Sequence, residues 1–155
     1  MERSALLGHS LWMAVVLSAF FLAQAAIAEN ATDREVNDMK IRIVVEGMAV
    51  TATLEDNQTA RDFVALLPFA TMLEDYASTE KIAGLPRRLN TDNAPAGIDP
   101  SVGDITYYAP WGNLAVFYRD FSYARGLVKL GSIDSGIEVL DRPGPMQATI
   151  ELIDK

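Results

Sequence analysis

The sequence predicts a mainly β domain, a barrel or sandwich with one packed helix, on three observations. About eight short runs are β-rich or alternate apolar with polar residues at the period of a strand. A single stretch of the domain carries the helical period, and Gly, Pro and Asn punctuate the rest. No internal repeat or second domain interrupts this pattern.

The chain opens on a segment that reads as targeting. Arg3 lies in a short n-region, Leu11–Leu22 is apolar, and Ala26-Ile27-Ala28 is a small-x-small cleavage site before Glu29. Residues 1–28 are therefore expected to be a signal peptide, removed on export to a periplasmic or secreted location. The alternative is a retained anchor, because Leu11–Ala28 holds no charge. Residues 29–38 are polar and aperiodic and read as a flexible leader to a domain over 39–155.

Met39–Glu46 then alternates, with Ile41, Ile43 and Val45 on one face. Gly47 turns the chain, and Ala49–Glu55 sets Val50, Ala52 and Leu54 against Thr51, Thr53 and Glu55. These runs predict an antiparallel hairpin with one buried face. The spacing predicts a helix over Thr59–Leu67, capped by Thr59 with Asp62 three residues on, its apolar face Ala60, Phe63, Val64 and Leu67, and ended by Pro68. So short a helix needs the sheet for support and is expected to plug an open end.

Phe69–Tyr76 returns to strand, Thr79–Leu89 gives only short elements, and Asn90–Gly103 reads as a long loop. Gly103–Tyr118 is two aromatic β runs around Ala109–Asn113, a hairpin. If it pairs symmetrically about Trp111, Tyr108 faces Leu114 and Thr106 faces Val116, while Ile105, Tyr107, Ala115 and Phe117 share the other face. Both faces are largely apolar, so the hairpin should be covered on both. Strands are expected at Gly126–Ile133, Gly136–Leu140 and Ala148–Ile153.

Composition excludes several activities. The net charge of −8 lacks the basic clusters that nucleic acid or an anionic membrane surface requires. There is no cysteine, and the one histidine, His9, lies in the leader. A mature chain without either has no Ser-His-Asp triad, no thiol nucleophile and no His or Cys zinc ligands. Asp92, Asp99 and Asp104 lack the spacing of a calcium loop, and no phosphate cradle opens a helix. No metal and no cofactor is expected.

The run Gly103-Asp-Ile-Thr-Tyr-Tyr-Ala-Pro-Trp-Gly-Asn-Leu-Ala-Val-Phe-Tyr118 resembles the hallmark segment of bacterial cyclophilin-like domain proteins. Leu73–Tyr76, Thr79–Ile82, Leu85-Pro86 and Gly126–Gly131 resemble its flanks, so the likeness covers most of 39–140. It implies a cyclophilin-like closed β-barrel with one or two packed helices. It carries over no catalytic residue: the Phe-His-Arg and Gln-Gly-Gly-Asp-Phe motifs of the prolyl isomerases have no counterpart here.

The expected role is thus a non-catalytic module binding a small molecule, peptide or protein; the alternative is a divergent peptidyl-prolyl isomerase. Candidate ligand-binding residues are Tyr108, Trp111, Asn113, Tyr118 and Arg125. Trp111 at the hairpin tip either meets a ligand or folds back as a lid on the core. The aromatic run Tyr107, Tyr108, Phe117, Tyr118, Phe121 and Tyr123 is barrel wall or groove. Arg125 could anchor a carbonyl or carboxylate, or pair with a surface acid. Glu74 and Asp75, adjacent on a strand, should point to opposite faces and cannot act as a pair.

Overall fold

The computed structural model describes residues 39–153; the leader sequence and residues 29–38 lie outside them. Strands β1 (Met39–Val45) and β2 (Met48–Leu54) form the expected hairpin, turning through Glu46 and Gly47 at φ of 50° and 83°. Met39 pairs with Leu54 and Val45 with Met48. The alternation does what it predicts: Ile41, Ile43, Val45, Val50 and Ala52 are fully buried on the inward face.

The remaining barrel strands are β3 (Phe69–Tyr76), β4 (Glu80–Gly84), β6 (Asp104–Tyr108), β7 (Asn113–Phe117), β9 (Leu127–Ser135) and β10 (Met146–Leu152). They close in the order β1-β10-β3-β4-β7-β6-β9-β2, every neighbouring pair antiparallel. Closure leaves no barrel strand with an unpaired edge. The interior is filled by Tyr107, Leu73, Ile105, Leu114, Val116, Leu130 and Ile150 beside the residues of the first hairpin. Two short strands, β5 (Gly97–Ile98) and β8 (Ala124–Arg125), pair into a separate ribbon. The segment read as a long loop therefore contains a strand.

The helix α1 (Gln58–Val64) plugs one barrel end as expected, with Ala60 and Phe63 fully buried and Phe63 edge-on to Phe69 at 6.2 Å. Its cap differs. Asn57, not Thr59, occupies the N-cap and accepts from the Ala60 amide at 2.8 Å. Thr59 is buried, whereas the Asn57 amide nitrogen also donates to the Lys129 carbonyl at 3.0 Å. One side chain thus starts the helix and ties it to β9.

At the opposite end, Gly136–Leu140 is not a strand. Gly136 takes φ 88°, and Ile137–Val139 form a 3₁₀ turn that drives Leu140 into the core with no exposure. A β-carbon at Gly136 would approach the Ala49 carbonyl oxygen to 2.9 Å, so the close pass over β2 requires glycine.

The central hairpin corrects a register. Gly112 donates to the Tyr108 carbonyl at 2.8 Å, which pairs Tyr108 with Asn113, Tyr107 with Leu114, Thr106 with Ala115 and Ile105 with Val116. A slip of one residue exchanges faces. Ile105, Tyr107, Leu114 and Val116 point inward, while Thr106, Tyr108, Asn113, Ala115 and Phe117 form the outer wall. Both faces are covered as expected: the outer residues Ala115, Phe117 and Leu127 make a second small core with Ile98 and Ala124 of the ribbon.

Candidate functional site

Directly paired residues of antiparallel strands share a face. Along β3, β4, β7 and β6 the outward set therefore includes Tyr76, Glu80, Ile82, Asn113, Ala115, Phe117 and Tyr108. These residues line a groove of about 220 Å³ on the outer barrel wall, closed at its sides by Trp111, Phe121, Ala124 and Leu127. Phe121 stacks on Phe117 with centroids 6.4 Å apart. The site lies outside the barrel, over strands that the core holds rigid from within.

The hairpin tip forms one wall. Trp111 is 56% exposed, so it is no lid on the core. It stands edge-to-face with both Tyr76 and Tyr108, each at 5.4 Å. Three contacts fix the backbone beneath it. The Arg88 guanidinium donates to the carbonyls of Ala109 and Pro110 at 2.8 and 3.4 Å. The Ala109 amide donates to the Gly126 carbonyl at 2.9 Å. Gly126, at φ 84°, leaves room for the Pro110 ring, which a β-carbon there would approach to 2.8 Å.

Two polar groups enter this apolar setting. Asn113 donates to the Leu114 carbonyl at 3.0 Å, but its side-chain oxygen Oδ1 is buried without a hydrogen-bond partner among the described residues. Such an acceptor carries a desolvation cost of about 1–3 kcal/mol until a donor meets it. Glu80 is half-buried, and this desolvation alone pushes its carboxyl up to about 7.

The sign of the Glu80 effect follows. Its folded pKa lies above the ordinary 4.5, so the folded state holds the proton more tightly. Stability from this group is full below pH 4.5 and falls as pH rises to about 7. Glu80→Gln should flatten that decline and make the protein more stable than wild type at pH 8; equal urea midpoints for the two at pH 5 and pH 8 would contradict it.

Of the residues singled out in the sequence, the structure brings Tyr108, Trp111 and Asn113 together here. Tyr118 and Arg125 sit elsewhere. Arg125 is exposed on the ribbon, does not line the groove, and makes no ion pair among the described residues. Tyr118 is buried at the far barrel end, where its hydroxyl donates to Asp75 at 3.0 Å. Burial, with the Asp75 carboxylate beside it, pushes Tyr118 up to about 12 and keeps it a donor.

That end holds a polar buckle which sequence reasoning missed. Lys81 has no exposed surface, yet its ammonium group pairs with Asp75 at 2.7 Å and donates to the carbonyls of Arg142 and Gly144 at 2.6 and 3.0 Å. Asp75 also accepts from the Gly144 amide at 2.8 Å. The Lys81 hydrogen bond, helped by Gly144 and Tyr118 against some desolvation, holds the Asp75 carboxyl below its ordinary range. Glu74 faces outward, opposite Ile82, so the two neighbouring acids do lie on opposite faces. Asp104 is spent structurally, paired with Lys129 at 2.8 Å and accepting from the Ser101 amide.

A larger cleft of about 640 Å³ runs between the start of α1 and Asp92–Pro95. Several of its polar groups are already engaged: Asn57 caps the helix, Arg61 pairs with Asp56 and Lys129 with Asp104. The smaller groove, with an unmet acceptor and exposed aromatic walls, is the better ligand site.

A closed eight-stranded antiparallel barrel with a helical plug and a hairpin of this sequence narrows the affiliation. The model of the cyclophilin-like family matches residues 43–151. The chain belongs to the cyclophilin-like family. Among solved structures it is similar to a hypothetical protein from Archaeoglobus fulgidus, determined in solution, at TM-score 0.57 and 16% identity over 78% of this chain and 99% of that one. That likeness shows a shared fold. No curated protein sequence matches. Within this cyclophilin-like barrel, the match spans every residue of the outer groove.

Among the groove residues that sequence reasoning passed over are Tyr76, Glu80, Ile82 and Leu127. Their signal was present but divided. Glu80 and Ile82 alternate with Lys81 and Ala83 as a strand should, and only the pairing of β4 between β3 and β7 brings them beside Asn113 and Phe117.

Proposed function

We propose that this cyclophilin-like domain is an exported, non-catalytic binding module that takes a small ligand in the outer groove beside Trp111. The observation that carries the reading is the buried, unpartnered Oδ1 of Asn113 in a groove otherwise walled by aromatic and aliphatic side chains. A few fixed polar groups in a concave apolar setting are what a small-molecule site requires. Isomerisation of a prolyl peptide has less support: among the described residues no arginine lines the groove, and Arg125 stands outside it. Export rests on Arg3, the apolar Leu11–Leu22 and the Ala26–Ala28 site, and predicts a purified protein whose mass begins at Glu29.

With the leader removed, Trp111 is the sole tryptophan and reports on the groove directly. A metabolite and peptide screen read by Trp fluorescence and thermal stability is expected to find a ligand that shifts both. Trp111→Ala should weaken that ligand about tenfold or more while costing under about 1 kcal/mol of stability, since the ring is exposed at an aromatic hot spot. A screen without a hit, or a hit indifferent to Trp111→Ala, would sink the reading.

A further inference from the structure

We infer that the groove selects a primary ammonium group carried on a compact apolar body. The inference rests on the groove being a ligand site and goes on to name what enters it. Every polar feature there favours a cation with N–H bonds. Among the described residues, Glu80 is the only charged one in the lining, and neither Lys nor Arg accompanies it. The Asn113 Oδ1 needs a donor. Trp111, standing edge-on to Tyr76 and Tyr108, presents ring faces whose negative potential attracts a cation.

The charge bias continues past the rim. Trp111 and Asn113 also line an adjoining hollow, and among the described residues its one charged group is again an acid, Glu74. Glu74 pairs with Ile82 and Glu80 with Tyr76, so both carboxylates lie on the same outer face of β3 and β4. A carboxylate ligand would meet two like charges and no cation among the described lining residues. A neutral ligand could satisfy Asn113 but would leave Glu80 desolvated without a counter-charge. An ammonium instead brings Glu80 that counter-charge. The net charge of −8 biases encounter in the same direction.

The test uses three probes of similar shape and different charge, titrated into the purified protein at pH 8: phenethylamine, 2-phenylethanol and 3-phenylpropanoate. Phenethylamine is expected to bind about tenfold tighter than the alcohol or better, with the carboxylate weakest, as a partly desolvated charge pair allows. Glu80→Gln should bring amine and alcohol to within about twofold while leaving the alcohol bound. Equal affinity of amine and alcohol for the wild type, or an amine preference untouched by Glu80→Gln, overturns the cation assignment while leaving the groove as a site. If none of the three binds, the cation assignment also falls, and the groove reading rests on the wider screen alone.

Discussion

Lys81→Met should cost about 3 kcal/mol, because removing one partner of a buried pair strands the others. The side chain is wholly buried, and its ammonium holds Asp75 and the carbonyls of Arg142 and Gly144 together. Methionine fills similar volume but satisfies none of them. The segment Arg142–Gly144, which leads into β10, loses its tie to β4. Adding Asp75→Asn to Lys81→Met should recover part of the loss, since the uncompensated carboxylate is then gone. Urea unfolding measures both; a single-mutant loss below about 1 kcal/mol would mean that water replaces the ammonium freely. Acid tests the same buckle. Asp75 has its folded pKa below the ordinary 3.8, so its contribution is present above that value and lost as pH falls through the folded one. Asp75→Asn should remove this limb of the acid transition.

Phe63→Ala should cost about 3–5 kcal/mol, as a fully buried ring leaves a cavity that strands cannot collapse to fill. Phe63 is the deepest apolar side chain of α1 and packs edge-on against Phe69 at the start of β3. Helix α1 spans only seven residues and has little intrinsic stability, so without this anchor the barrel end would open. Amide hydrogen exchange would then show α1 losing protection ahead of β1 and β2. Uniform loss across all three would mean that the helix unfolds only with the barrel.

The sequence made the first hairpin legible because one face is core and the other water, so the period of two is written plainly from Ile41 to Leu54. It made the outer groove illegible for the opposite reason. Where a strand is buried on both faces, as at Ile105–Tyr108 and Leu114–Phe117, apolarity no longer distinguishes inside from outside. Register then depends on the turn. Symmetry about Trp111 gave a pairing off by one, and the Gly112 to Tyr108 hydrogen bond supplies the correct one. Tyr118 was grouped with its aromatic neighbours, although the strand ends at Phe117 and the next side chain turns to Asp75. Nothing in the sequence sets Lys81 apart from its neighbours Glu80 and Ile82. Only its place opposite Val116 makes it inward-facing. The cap of α1 failed on a shift of two residues, because Asn57 could reach both Ala60 and β9 while Thr59 could not be spared from the core.

The ties beneath Trp111 have a kinetic consequence. Arg88, Gly126 and the Gly112 turn hold the tip before any ligand arrives, and the groove floor is a strand wall that the closed barrel keeps from flexing. Little ordering is left for a ligand to bring about on entry. Association should therefore proceed in a single phase at a rate nearly common to all ligands of one charge, and discrimination among them should reside in how long each one stays.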